Sequence, residues 1–113
     1  METLKKNYEF SYIFTKGKCG RSKNIDIFYC KNHTNINKIG IAVSKKIGNS
    51  VKRNKIRRLL RENYRLLEEN IGKGYSMIIV WKKNRTFENA NFYTIKEEML
   101  NIFKNEKIIN KID

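Results

Sequence analysis

The residues from Ser44 to Arg65, SKKIGNSVKRNKIRRLLRENYR, constrain the fold more than any other stretch. They carry nine of the chain's 25 Lys/Arg residues and one of its 11 acidic residues, Glu62, which makes +8 of the formal net charge of +14. Placed at 100° per residue from about Val51, the residues Ile56, Leu59, Leu60, Tyr64, Leu66 and Leu67 fall on one side of a helix. Asn54, Arg57, Arg58, Arg61 and Arg65 fall on the other. Such a helix needs a core to dock on, and it leaves a row of guanidinium groups facing outward. Successive groups along the row are one turn apart, about 5.4 Å, comparable to the phosphate repeat of a nucleic-acid strand.

The start of this helix carries a second signal. Ser50 reads as the N-cap after the turn-like pair Gly48-Asn49, and the helix runs to about Asn70, with Gly72 and Gly74 ending it. A first turn favours acidic residues against the helix dipole. Lys52, Arg53 and Lys55 stand there instead. A bound phosphate would offset their mutual repulsion, because free N–H groups and basic side chains would converge on it. The alternative is a solvated basic face with no ligand.

With 113 residues, no proline, 40% hydrophobic and 12% aromatic residues, the chain reads as one folded domain over residues 1–113. Its tail, from about residue 105, is expected to fray. A pI near 9.9 points to an anionic partner, nucleic acid or an acidic membrane surface. No apolar run approaches the roughly 18 residues needed to span a bilayer, and METLKKNYEF lacks a signal peptide's apolar centre. A cytoplasmic protein is the natural expectation. Cys19 and Cys30 read as free thiols. Cys30 and His33 form a C-x2-H pair with nothing to complete a four-ligand metal site, so no metal site and no protein-based catalytic residue is expected.

Along the chain, Leu4 to Lys16 fits two patterns. Tyr8, Phe10, Tyr12 and Phe14 alternate as in a strand, whereas Asn7 as N-cap, Phe10, Ile13 and Phe14 at helical spacing and Gly17 as a stop fit a helix. Lys18 to Lys23 reads as a loop. Asn24 to Lys31 and Lys38 to Ser44 alternate as strands, joined by polar residues as in a hairpin. On the second of them, Gly40, Ala42 and Ser44 make one face small enough for something to lie close to the sheet. Met77-Ile78-Ile79-Val80-Trp81 reads as a central strand. Asn91 caps a last helix with Phe92, Ile95, Met99, Ile102 and Phe103 inward and Glu97 and Glu98 outward.

The segment AVSKKIGNSVKRNKIRRLLRE, Ala42 to Glu62, resembles the signature of the bacterial ribonuclease P protein component, and the resemblance extends from about Leu4 to Phe103. Arg53-Asn54-Lys55 departs from the family's Arg-Asn-Arg triplet. Lysine there keeps the charge and loses the planar bidentate fork. The resemblance implies a helix over Leu4 to Lys16. It further implies an α+β fold, an α/β sandwich of order α-β-β-α-β-α, with three helices on a small mixed sheet of about four strands. A left-handed β-α-β crossover is implied too, similar to the second domain of a ribosomal small-subunit protein.

The resemblance also implies a function: the protein subunit of a ribonucleoprotein that removes the 5′ leader of precursor tRNA, the RNA subunit doing the chemistry with bound Mg²⁺. The expected partners are the catalytic RNA and precursor tRNA, with neither a membrane nor a protein partner implied. Lys45, Lys46, Asn49, Lys52, Arg53, Asn54, Lys55, Arg57, Arg58, Arg61 and Arg65 would then face the catalytic RNA and its substrate. For Asn54, hydrogen bonding to a base edge or sugar and a plain polar helix position both stay open. Phe10, Phe14 and Phe28 match the positions of the family's leader-binding aromatics, whereas Tyr8 and Tyr12 have no such counterpart. On residues alone, Phe10 and Phe14 also fit the core face of an amphipathic helix. Two other readings suit a small basic α/β domain, a structural ribosomal RNA-binding protein and a DNA-binding regulator.

Overall fold

Alternation along β3 (Ile25–Lys31) gives the sheet two unlike faces. In the computed structural model, which describes residues 1–109, β3 is flanked by β2 (Lys18–Arg21) and β5 (Tyr75–Trp81), and β5 by β4 (Lys38–Val43). A two-residue strand, β1 (Glu2–Thr3), completes the order β1-β4-β5-β3-β2. β1 and β5 run parallel to β4, whereas β3 is antiparallel to both β5 and β2. Among the described residues the sheet therefore has five strands rather than about four. Lys18 to Arg21, expected as a loop, pairs with β3 as an edge strand. The expected hairpin of β3 and β4 is absent, because β5 lies between them. The physical reason is the unbroken apolar run of β5, which reaches its lowest free energy with both faces covered and so takes the central place.

One face of the sheet presents Ile25, Ile27, Tyr29, Ile39, Val43, Met77, Ile79 and Trp81 to α2 (Ser50–Leu67) and α3 (Phe92–Asn105). Ile56, Leu60, Tyr64, Ile95, Met99 and Phe103 close this core with essentially no exposure. Each such side chain contributes about 1.5–3 kcal/mol of burial. α2 connects the parallel pair β4 and β5, which fixes the basic helix against the sheet. Leu66, expected on its apolar face, is 58% exposed, while Asn63 takes a buried place. The Asn63 amide donates to the carbonyls of Leu59 and Phe92, which ties α2 to α3.

Three local expectations are also revised. Asn49, not Ser50, caps α2, its side-chain oxygen accepting from the Lys52 N–H at 3.0 Å. Glu98 is not a solvated carboxylate: it accepts from the Ser22 hydroxyl and from the backbone and side-chain amides of Asn24. The end of the chain is packed as far as it is described, since Ile108 is buried, its carbonyl accepts from the Gly72 N–H, and Tyr29 donates to Glu106 at 2.6 Å. Frayed residues were expected from about 105; residues 110–113 of that stretch lie outside the described residues.

Candidate nucleic-acid interface

The second face of the sheet is covered by α1 (Asn7–Lys16), which runs across the strands. Gly40, Ile78 and Phe28 are register neighbours on β4, β5 and β3, and they form the bed of this helix. Phe10 lies on Gly40, so closely that a Cβ there would stand 2.7 Å from its ring. The small face read from the sequence is thus filled by a phenylalanine of α1. Ile13 packs with Ile78, and Phe14 meets Phe28 edge to face, ring centroids 4.9 Å apart. Phe14 remains 45% exposed.

Beside Phe14 and Phe28 opens a groove of about 850 Å³, with Ala42 and Val80 on its apolar side. Phe10, expected in the same cleft, does not line it; its ring is turned down onto the sheet. Arg21, Arg57, Lys82 and Lys83 stand around the groove with Ser44 and Asn84. Asp26 is the one acidic group among the lining residues, and it is almost buried. Its carboxylate accepts from the Arg21 guanidinium at 3.2 Å and lies 3.5 Å from the Lys82 ammonium. Three of the four basic side chains remain in excess, a positive field over an aromatic floor.

Arg57 joins this groove to the outer edge of α2. Along that edge Asn54, Arg58, Arg61 and Arg65 are exposed, and Arg53 and Arg57 are half-buried closer to the sheet. The Arg57 guanidinium donates to the Asn54 side-chain oxygen at 3.4 Å. Among the described residues, Arg58 is the one basic residue of α2 with a carboxylate partner, Glu62 at 3.7 Å. Lys45 and Lys46 are exposed on the short turn before the helix, where the Ser44 hydroxyl accepts from the Lys46 N–H. Lys52 and Lys55 point elsewhere. Their ammonium groups both lie 5.5 Å from the ring of Phe87, on the far flank of α2. The expected basic row therefore divides, with Arg57 on the groove, Arg53 half-buried, Arg58, Arg61 and Arg65 on the exposed edge, and Lys52 and Lys55 beside Phe87.

Arg21, Lys82 and Lys83 were not singled out from the sequence. Lys82-Lys83 directly follow the apolar run of β5, but their role depends on topology. Parallel pairing of β4 and β5 brings that end beside Ser44 and the start of α2. Among the described residues, no three His, Cys, Asp or Glu side chains come together to hold a metal ion. No described helix is long and apolar enough to cross a membrane.

A family profile described as Ribonuclease P matches residues 1–107. The ribonuclease P protein component of Clostridium botulinum (strain Langeland) is 36% identical over 108 residues, covering 95% of this chain and 96% of that one. Among solved structures, the RNase P protein of Staphylococcus aureus superposes with a TM-score of 0.84 at 29% identity, covering 97% of this chain and 99% of that one. The RNase P protein of Thermotoga maritima gives a TM-score of 0.81 at 29% identity, covering 100% and 99%.

Proposed function

Because the chain belongs to the ribonuclease P protein family, we infer that its aromatic groove holds the single-stranded 5′ leader of precursor tRNA beside the RNA subunit. The chain is the protein subunit of the endoribonuclease that matures tRNA 5′ ends, and its partner is the ribonuclease P RNA. The site within it is our reading. The observation that supports it most is the pairing of Phe14 with Phe28 on a groove whose rim continues through Arg57 into the arginine edge of α2.

In this reading the bases of the leader stack on Phe14 and Phe28, worth about 1–3 kcal/mol per base with little sequence preference. Arg57, Lys82 and Lys83 neutralise leader phosphates. Arg53, Asn54, Arg61 and Arg65, with Lys45, Lys46 and Asn49, face the catalytic RNA. The half-buried pair Arg53 and Arg57 is best held for directed hydrogen bonds to phosphate oxygens. Lys52 and Lys55 serve the general field from the other flank. Phe10 acts indirectly, by seating α1 on Gly40 so that Phe14 stands over the groove.

Hydrolysis of the phosphodiester falls to the RNA subunit and its Mg²⁺, which supplies the activated water and stabilises developing charge. In this reading the residues of the chain named above bind and position the RNA. A cytoplasmic location goes with this role.

The test is cleavage of a precursor tRNA by a bacterial ribonuclease P RNA at low Mg²⁺, with and without the protein. Strong stimulation is expected from the wild type and little from an Arg53→Ala/Arg57→Ala/Arg61→Ala variant. Absence of stimulation by folded protein, with the RNA active at high Mg²⁺, would overturn the reading of the groove and the arginine edge.

A further inference from the structure

α1 has a second groove on its opposite flank, of about 500 Å³, between the helix and the end of β3. Tyr8 and Tyr12 stand over it, one turn apart, 67% and 59% exposed. Cys30 and Ser76 lie on its sheet side, and Lys31 and His33 on its rim. Two tyrosines this exposed gain little from folding, so their position is explained by a ligand more readily than by the core.

We propose that Tyr8 and Tyr12 bind upstream nucleotides of the leader after it has crossed over α1 from the Phe14–Phe28 groove. This rests on the reading of that first groove. The helical angles supply the path. Going round α1 from Phe14, the next outward positions are Ser11 and Thr15, then Tyr8 and Tyr12. Ser11 and Thr15 are exposed, uncharged and able to donate to phosphate oxygens. The crest is therefore short and free of acidic groups, on a helix about 10–12 Å across, which a few nucleotides can span. Glu9 is the acidic residue of the second groove, and Lys6, Lys31 and His33 surround the tyrosines. The Lys6 ammonium already lies 5.7 Å from the Tyr8 ring, so a base stacked on the ring would have a cation beside its phosphate. On a chain of +14 net charge, a second copy would bring like charge to this flank, whereas a polyanion is attracted to it.

Two precursor tRNAs test the proposal, one with a leader of about four nucleotides and one of about ten, each bound to the assembled protein–RNA enzyme. Wild-type enzyme is expected to bind the longer-leader substrate more tightly. Tyr8→Ala/Tyr12→Ala should remove that advantage, weakening the long-leader complex about tenfold and leaving the short-leader complex unchanged. Tyr8→Phe/Tyr12→Phe should keep it, since stacking needs the ring and not the hydroxyl. Equal effects of the alanine pair on both leaders, or none on either, would overturn the proposal. So would a loss confined to assembly with the catalytic RNA in the absence of substrate, which would make that RNA the occupant. Phe14→Ala/Phe28→Ala separates the two readings, because it should weaken the short-leader complex as well. If it weakens neither, the first groove's assignment falls and this one with it.

Discussion

The two flanks of α1 are both aromatic, yet they differ in the kind of free energy they offer. On one flank Phe14 and Phe28 are surrounded by Arg21, Arg57, Lys82 and Lys83, with Asp26 as the one countercharge. On the other, Tyr8 and Tyr12 share a groove with Glu9, Lys31 and a single histidine. Binding of the leader at the first would combine stacking with release of counterions from phosphates, and would fall steeply with salt. Binding at the second would rest more on stacking, with Lys6 and Lys31 as its cations, and would fall less. A single strand occupying both would be anchored by charge at one end and by surface contact at the other. Salt dependence is thus the observable that tells the flanks apart.

The largest effect is expected from the arginines. Arg53→Ala/Arg57→Ala/Arg61→Ala should weaken the complex with the catalytic RNA and precursor about 100-fold at moderate salt. The slope of log affinity against log salt should flatten by roughly two to three units, since each neutralised phosphate contributes about 0.7–0.9. A large loss with an unchanged slope would mean that the triple substitution damages α2 instead. Circular dichroism distinguishes the two cases, because these side chains are at most half-buried.

Phe14→Ala/Phe28→Ala comes next. About 10- to 100-fold weaker binding of precursor is expected, with mature tRNA unaffected and the salt slope unchanged. Equal weakening of precursor and mature tRNA would mean that the pair only supports α1. Comparison with Gly40→Ala sharpens the point. That substitution pushes the Phe10 ring off its bed and should cost about 1–3 kcal/mol in denaturant unfolding. It should disturb both flanks together, because both are borne by the one helix.

The elements behind this comparison were unequally readable in the sequence. The two-residue period of Ile25 to Cys30 and the helical period of Ile56 to Leu67 are local, so the two faces of β3 and the orientation of α2 could be read directly. The division of the aromatic residues of α1 could not. Tyr8, Phe10, Tyr12 and Phe14 alternate like a strand, and the family resemblance was needed to choose a helix. Phe10 and Phe14 then parted company for a reason local pattern cannot give, namely that Gly40 on a distant strand leaves a hole for one ring only. Arg21, Lys82 and Lys83 entered the groove through strand pairing. Local pattern suggests a β3–β4 hairpin, and nothing in it announces that β5 lies between the two strands.

Asp26 offers a subtler way to shift the comparison. It holds Arg21 at 3.2 Å and lies 3.5 Å from Lys82 on the floor of the cationic flank. Asp26→Asn removes the one negative charge there and frees both cations toward phosphate. Affinity for precursor is expected to rise a few-fold, with a steeper salt slope. Stability should fall by about 1 kcal/mol or less, because the partly buried Lys82 ammonium loses its carboxylate partner while the exposed Arg21 loses little. Weaker binding instead would mean that Asp26 holds the two cations in the geometry the leader needs, and that position outweighs field strength on this flank.

The smallest effect is read at Cys30, on the sheet side of the tyrosine groove. Burial pushes its thiol pKa upward, so little thiolate exists at neutral pH, and alkylation should speed up as pH rises into the alkaline range. A leader lying over Tyr8 and Tyr12 would block the approach to this sulfur without touching it. Site-resolved mass spectrometry at mildly alkaline pH should find Cys30 alkylation slowed about two- to threefold by a long-leader precursor, relative to a short-leader precursor at equal saturation. Protection that is the same for both lengths would point to a general tightening of the sheet. The lengths differ only in nucleotides beyond the first groove, so any difference at Cys30 must come from strand that has passed over Ser11 and Thr15. A weakly charged stacking site and a strongly cationic one would then be two stations on the same strand, with α1 as the post around which it turns.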